Sequence, residues 1–102
     1  MKMHQLLVAL SVLTAGALGT ATAADVQAGK AKSTPCAVCH GANGEGKASN
    51  PALAGMTPAR FVQAMNDYKS GKRPSAAMKG YAAKLDGADT ANLAAYYASL
   101  KK

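Results

Sequence analysis

The sequence has 102 residues with twelve Lys and Arg against five Asp and Glu, a formal net charge of +7, and only two cysteines. A chain of this length forms at most one small domain, and two cysteines exclude the several disulfides that stabilise many small secreted domains. The sequence has no basic cluster interleaved with aromatic residues, so the charge favours a solvated surface or docking to acidic partners over nucleic-acid binding.

The first 23 residues have the pattern of a secretory signal peptide. Lys2 precedes an apolar run from Leu6 to Leu18, which the small-x-small sequence Ala21-Thr22-Ala23 follows. The run is about 13 residues, shorter than the ~20 that span a bilayer, which argues against the alternative of an uncleaved anchor. We therefore expect cleavage after about Ala23, leaving one domain, residues 24–102, that is periplasmic and not an integral membrane protein.

Asp25 is a candidate N-cap for a first helix that runs from Val26 through Lys32 and ends about Pro35. Gly29 is unfavourable inside a helix unless another part of the chain approaches its backbone closely. Tyr96 and Tyr97, near the end of the chain, are candidates for that contact, so we expect the terminal helices to cross. A merely tolerated glycine is the alternative.

Both cysteines lie in one motif, Cys36-Ala37-Val38-Cys39-His40. A structural zinc site needs four protein ligands, and cleavage would leave two cysteines and one histidine. A thioredoxin-like pair needs a strand before the motif, and a disulfide across two residues closes too short a loop to stabilise much.

Cys-x-x-Cys-His is the attachment signature of c-type haem, in which both thiols bond the porphyrin and the histidine binds the iron. An apolar porphyrin also supplies core that so small a chain lacks. The motif therefore predicts one covalently bound haem c, attached through Cys36 and Cys39 and ligated by His40.

The segment from Gly41 to Gly55 contains four glycines and a proline and is predicted to be a loop. A second helix follows, with Thr57 as its cap, Pro58 in its first turn and Gly71 at its end. Its inward face is predicted to carry Phe61, Met65 and Tyr68.

Ser75 to Leu85 is predicted to be a short helical or irregular piece. Asp86 then starts the last helix, with Asp89 completing an approximate capping box. The apolar stripe of this helix comprises Leu93, Tyr96, Tyr97 and Leu100. Few residues are β-branched and no segment alternates convincingly, so the predicted fold class is all-α.

The second axial ligand of the iron is open at this point. No histidine besides His40 follows the cleavage site, which excludes a second imidazole. The thioether candidates are Met56, Met65 and Met78, and an unligated position is the alternative. Met65 has the position of a core residue, whereas Met78 lies between two helices and can wrap to the far side of the ring.

Three stretches carry a family resemblance: "CAVCHG", "PALAGMTPARFVQAMNDYKSGKR" (51–73) and "LDGADTANLAAYYASLKK" (85–102). On these the sequence resembles class I c-type cytochromes, and is similar to small bacterial monohaem members and to the halves of dihaem relatives. The resemblance implies helices wrapped around one covalent haem, with the N- and C-terminal helices crossing.

The resemblance also implies roles for individual residues. It makes Met78 the distal iron ligand, and it places the carbonyl of Pro51 near the free nitrogen of His40. Arg73, in a recurring "GKR", becomes a candidate partner of the haem propionates. Arg60 and Lys72 are further candidates for the propionates, and Lys47, Lys79 and Lys84 for the exposed haem edge.

Iron with histidine and methionine on its two sides has no position left for a substrate. We therefore expect a soluble, monomeric electron carrier, not an enzyme, that shuttles one electron between respiratory or other redox complexes with acidic docking faces. The alternatives are a haem subunit of a larger oxidoreductase, or a haem enzyme or gas binder if the methionine is labile.

Overall fold

Residues 23–101, the part of the chain that the computed structural model describes, form five α-helices and no β-strand. The helices are α1 (Val26–Lys32), α2 (Thr34–His40), α3 (Pro58–Ser70), α4 (Ala76–Ala83) and α5 (Gly87–Ser99). The predicted all-α fold is confirmed. The predicted signal peptide, apart from Ala23, lies outside the described residues. None of the described helices combines the length and apolar character that crossing a membrane requires.

The chain before the long loop forms two short helices. Asp25 caps α1 as predicted, accepting hydrogen bonds from the backbone N–H of Gln27 at 2.9 Å and of Ala28 at 3.1 Å. The predicted end of this helix about Pro35 is wrong, because α1 ends at Lys32. Pro35 lies in the first turn of α2, where its missing N–H costs no hydrogen bond. The cysteine motif is therefore itself helical.

The two longer helices have the ends that the sequence predicts. Thr57 accepts a hydrogen bond from the N–H of Arg60 at the start of α3, and Gly71 ends the helix in the left-handed conformation with φ of 85°. At α5, Asp86 and Asp89 accept from each other's backbone N–H at 2.8 and 3.2 Å, a complete capping box. The segment between them contains α4.

The terminal helices α1 and α5 cross at Gly29. A Cβ atom at this position would lie closer to the backbone carbonyl of Asn92 and to the Cβ of Tyr96 than van der Waals contact allows. The predicted crossing is confirmed, with the Asn92 carbonyl as the nearest contact beside the expected Tyr96. Asn92 also accepts, through Oδ1, from the N–H of Asp25 at 2.8 Å, which ties the start of α1 to α5.

The core lies where α3, α4 and α5 meet. Aromatic rings dominate it: Phe61 and Tyr97 stack with centroids 5.8 Å apart, and Tyr96 and Tyr97 lie 5.0 Å apart. The buried cluster consists of Phe61, Met65, Ala82, Leu93, Ala94, Tyr96 and Tyr97. Cys36, Met56 and Met78 pack against this cluster while they are only partly buried. The core thus adjoins the cavity described next.

Candidate cofactor site

A cavity of about 710 Å³ opens between α2, the loop at 50–57, α3 and α4. Its volume is in the range of about 300–1,000 Å³ in which proteins bind small molecules and cofactors. Six of the residues predicted for the site lie in its lining: Cys36, Cys39, His40, Pro51, Arg73 and Met78. Apolar side chains, including Leu53, Phe61, Met65 and Leu85, form much of the remaining wall.

The motif helix α2 presents its cysteines to this cavity. Cys36 and Cys39 are three residues apart, so they lie on one face of the helix. They form no disulfide with each other; Cys36 is half-buried and Cys39 is exposed. Burial raises the pKa of the Cys36 thiol, and a hydrogen bond with Tyr97 acts in the opposite direction. One helical turn therefore aims two sulfur atoms into the same space.

His40, at the end of α2, is buried with 6% of its surface exposed. Its Nδ1 lies 2.7 Å from the backbone carbonyl oxygen of Pro51. A carbonyl oxygen only accepts hydrogen bonds, so Nδ1 is the nitrogen that donates, and in the neutral ring Nε2 then has the lone pair. Because His40 lines the cavity, this tautomer offers Nε2 as the nitrogen that can bind a metal.

Three methionines line the cavity. Met78 lies in the first turn of α4, where its N–H donates to the hydroxyl of Ser75 at 3.1 Å, and it is half-buried. Met65 belongs to the buried core, and Met56 lies in the same loop as Pro51. The cavity thus offers thioether sulfur from α3, from α4 and from the loop between α2 and α3.

Four cationic side chains line the cavity, and no acidic one does among residues 23–101. They are Lys32, Arg60, Arg73 and Lys84. Two of them cover tyrosine rings: the guanidinium of Arg73 lies 4.9 Å from the ring centre of Tyr68, and the ammonium of Lys84 lies 5.6 Å from that of Tyr81. Such cation–π contacts hold a cation in place without neutralising it. Of the other predicted cations, Lys47, Lys72 and Lys79 do not line the cavity.

Sequence reasoning missed the role of Tyr97 beside the motif. Its buried side chain lies close to Cys36 and Ser33, and burial, together with the neighbouring Cys36, raises the pKa of its hydroxyl well above the usual value. No local pattern links residues about sixty positions apart. The contacts of Arg73 with Tyr68 and of Lys84 with Tyr81 were not predicted either, although each joins residues only five or three positions apart.

The residues that line the cavity fit a covalently bound haem. They supply two cysteine sulfurs on one helical face, an imidazole whose Nδ1 is already hydrogen-bonded, thioether sulfurs, an apolar wall, and cations with no Asp or Glu of residues 23–101 in the same lining. Among residues 23–101, no three His, Cys, Asp or Glu side chains come together as donors for a metal such as zinc. The donor set is therefore that of a porphyrin site.

Comparisons with known proteins agree with this donor set. The sequence profile of the family described as Cytochrome c matches residues 26–101. Cytochrome c4 of Pseudomonas aeruginosa is 46% identical over 101 residues, which cover 97% of this chain and 50% of the relative. The thiosulfate dehydrogenase electron acceptor of Thiomonas intermedia is 37% identical over 94 residues, or 90% of this chain and 43% of the relative.

A solved structure has the same fold. Reduced recombinant cytochrome c4 from Pseudomonas stutzeri superposes with a TM-score of 0.72 at 31% identity, covering 78% of this chain and 47% of that one. The chain thus spans about half the length of these relatives and resembles a single half of cytochrome c4. Its cofactor is covalently attached haem c. From its motif helix, its fold and these relatives, the chain belongs to the cytochrome c family.

Proposed function

We propose that this protein is an exported electron carrier with one haem c held between His40 and Met78. The observation that supports this most directly is that both thiols, the imidazole and the Met78 thioether line one cavity. Haem c, when bound, supplies a one-electron ferrous–ferric couple. Two strong protein ligands leave no open position for a substrate, so the proposed role is electron transfer and not catalysis.

In this proposal the motif residues hold the cofactor from one side. Cys36 and Cys39 form the thioether bonds, and His40 binds iron through Nε2. The carbonyl of Pro51 accepts from Nδ1–H, which fixes the tautomer and the ring orientation and strengthens the imidazole as a ligand. The burial of His40 protects this arrangement from water.

Met78 is the proposed sixth ligand. Met65 is buried in the same core cluster as Phe61 and the aromatic rings of α5, and a flexible methionine there serves as core filling. Met56 belongs to the loop whose Pro51 carbonyl contacts His40, so its position favours the side of the histidine. Met78 comes from a separate element, α4, and is only half-buried.

The cations of the cavity are the proposed partners of the haem propionates. Arg73 is the leading candidate because its stacking on Tyr68 fixes the guanidinium, and Arg60 lines the same cavity from α3. A planar guanidinium can donate two parallel hydrogen bonds to a carboxylate. Lys32 is less available, since its ammonium lies 3.7 Å from the carboxylate of Asp89.

The proposed partners are acidic redox proteins outside the cytoplasm. Cleavage after about Ala23 would remove Lys2 and leave a net charge of +6, which steers a carrier towards negatively charged faces. A relative is named as the electron acceptor of thiosulfate dehydrogenase, which supports a place among exported redox enzymes. We propose a periplasmic monomer.

Optical spectra of the exported protein test the cofactor and the distal ligand. Denatured, reduced protein in pyridine should give the spectrum of haem joined by two thioethers, and the oxidised native protein should show the far-red sulfur-to-iron band. Met78→Ala should abolish that band and let the ferrous protein bind carbon monoxide rapidly, because a coordination position is opened.

Two variants are matched controls, because they change methionines that line the same cavity. Met65→Leu and Met56→Leu should keep the far-red band, since a leucine of similar volume costs less than about 1.5 kcal/mol of stability. A band that survives in Met78→Ala and disappears in Met56→Leu would transfer the ligand role to Met56. Rapid carbon monoxide binding by the unaltered protein would favour a gas binder or a haem enzyme.

A further inference from the structure

The carbonyl end of α2 is completely capped by the loop that follows it. The last four carbonyls of a helix have no partner within the helix, and those of α2 belong to the residues of the haem motif. Each of these carbonyls accepts a hydrogen bond from the loop. Two donors are backbone N–H groups: Gly41 donates to Ala37 at 3.0 Å, and Gly46 donates to His40 at 2.7 Å. Two are side chains: Lys47 Nζ donates to Val38 at 3.3 Å, and Asn50 Nδ2 donates to Cys39 at 2.9 Å. A seven-residue helix, too short to be stable alone, is thereby held at the end that carries His40.

The two side-chain donors belong to one closed turn. Lys47 N–H donates to the Asn50 carbonyl at 3.1 Å, and Asn50 N–H donates to the Lys47 carbonyl at 2.9 Å. Between them Ala48 has a φ of 53°, a left-handed conformation that a non-glycine residue adopts at a cost of about 1–2 kcal/mol. We call residues 47–50 the motif clamp, because both of its ends reach back to successive carbonyls of the motif.

The clamp leads directly into the residue that contacts the imidazole. Asn50 precedes Pro51, whose carbonyl oxygen lies 2.7 Å from His40 Nδ1, and its own side chain holds the carbonyl of Cys39. Two adjacent loop residues therefore bind the backbone just before His40 and the ring of His40 itself. The ammonium of Lys47 adds a positive charge at the negative end of the helix dipole.

We propose that Asn50, supported by Lys47, is a positioning residue for His40. Its bond to Cys39 keeps the Pro51 carbonyl on Nδ1–H, and so sets how strongly the imidazole donates to the iron. This inference rests on the proposed role of His40 as an iron ligand. An imidazole with a good acceptor on Nδ1–H is a stronger donor and favours ferric iron, so loosening the clamp raises the reduction potential.

The test compares Asn50→Ala with Asn43→Ala, an exposed asparagine of the same loop whose side chain makes no hydrogen bond to the described residues. Both changes leave the charge unaltered. In Asn50→Ala the midpoint potential should shift upwards, and the His40 Nδ1 proton, followed by NMR in the ferrous protein, should exchange about threefold to tenfold faster, as expected for the loss of one hydrogen bond. Asn43→Ala should match the unaltered protein in both measurements.

Two further variants keep the inference falsifiable. Asn50→Gln retains an amide donor and should restore slow exchange and the original potential. Asn50→Ser, whose hydroxyl falls short of the Cys39 carbonyl, replaces Asn50→Ala if that variant fails to retain haem, and should shift both quantities in the same direction. An unchanged potential and exchange rate in the variants without the amide would overturn the positioning role.

The spectrum of the unaltered protein separates the two proposals. If that protein contains no covalent haem, the proposed function fails and this inference fails with it. If it contains haem and a protected His40 Nδ1 proton, and removal of the Asn50 amide changes neither measurement, only the inference fails.

Discussion

His40 shows how one backbone contact prepares a side chain for metal binding. The Pro51 carbonyl at 2.7 Å accepts a hydrogen bond from Nδ1–H, so in the neutral ring Nε2 has the lone pair. The ring is nearly enclosed, and no side chain among residues 23–101 forms a hydrogen bond with it. Its orientation depends instead on the path of the loop, which the bonds of Asn50 and Lys47 to α2 restrain.

Tyr97 connects the haem motif to the aromatic core. Its ring packs on Phe61 and Tyr96, and its hydroxyl lies beside Cys36. Burial, and then the neighbouring thiol, raise the pKa of this hydroxyl. The folded protein therefore resists ionisation of Tyr97, while the unfolded chain ionises it near the ordinary value of about 10.

This difference predicts alkaline destabilisation. Because the pKa of Tyr97 is higher in the folded protein than in the unfolded chain, its contribution to the free energy of unfolding is complete below the unfolded pKa. As the pH rises above that value, this contribution is lost by up to about 1.4 kcal/mol per pH unit. Tyr97→Phe should make the free energy of unfolding in urea less dependent on pH between about 9.5 and 11. Tyr81→Phe, at an exposed tyrosine, is the control. Parallel pH curves for Tyr97→Phe and the unaltered protein would contradict the expectation.

At the scale of the helices, α1 and α5 cross with their backbones in close contact. Gly29 lets the Asn92 carbonyl approach α1. Two further contacts connect the helices: Asp25 N–H donates to Asn92 Oδ1, and Lys32 pairs with Asp89. Because α1 has only seven residues, it is stable only through such tertiary contacts.

Gly29→Ala should therefore destabilise the protein. The added methyl group would meet backbone atoms of Asn92, which cannot rotate away, and overpacking of this kind costs about 1–3 kcal/mol. The control is Gly80→Ala in α4, where nothing lies within 4 Å of the added Cβ. That change should stabilise by about 0.5–1 kcal/mol, because alanine loses less entropy in a helix. Thermal unfolding measures both, and a tolerated alanine at 29 would contradict the close approach.

At the scale of the whole molecule, charge is distributed unevenly around the cavity. Four cations and no carboxylate line it within residues 23–101, and two of the cations are held over tyrosine rings. Propionates would neutralise part of this charge. The remaining positive potential at the cavity mouth would attract anionic redox partners more than cationic ones.

Ionic strength should reveal this asymmetry. The rate constant for oxidation by anionic hexacyanoferrate should fall as the salt concentration rises, because the screening length shrinks to about 10 Å at 0.1 M. The rate constant for oxidation by a cationic cobalt complex should instead rise with salt, because screening weakens the repulsion. Lys84→Gln should flatten the salt dependence with hexacyanoferrate. Lys30→Gln, on α1 away from the cavity lining, should change it less. Equal effects of the two variants would indicate that net charge alone governs the encounter.

Local signals in the sequence were sufficient for most helix ends. Asp25, Thr57, Gly71 and the Asp86–Asp89 box act on backbone groups within four residues, so their bonds could be predicted without any tertiary contact. The predicted end of the first helix about Pro35 is wrong, because a proline also suits the first turn of a new helix and Pro35 has that position in α2.

The spacing of Cys36, Cys39 and His40 is likewise local, and this spacing alone predicted the cofactor. Together with the resemblance of two further stretches to class I c-type cytochromes, it also predicted the family. Only the tertiary structure placed Tyr97 beside Cys36, Arg73 over Tyr68 and the amide of Asn50 on the Cys39 carbonyl. These contacts join residues five to about sixty positions apart through packing and loop conformation. No helical period or capping rule specifies such partners, because the chain must first fold before they meet.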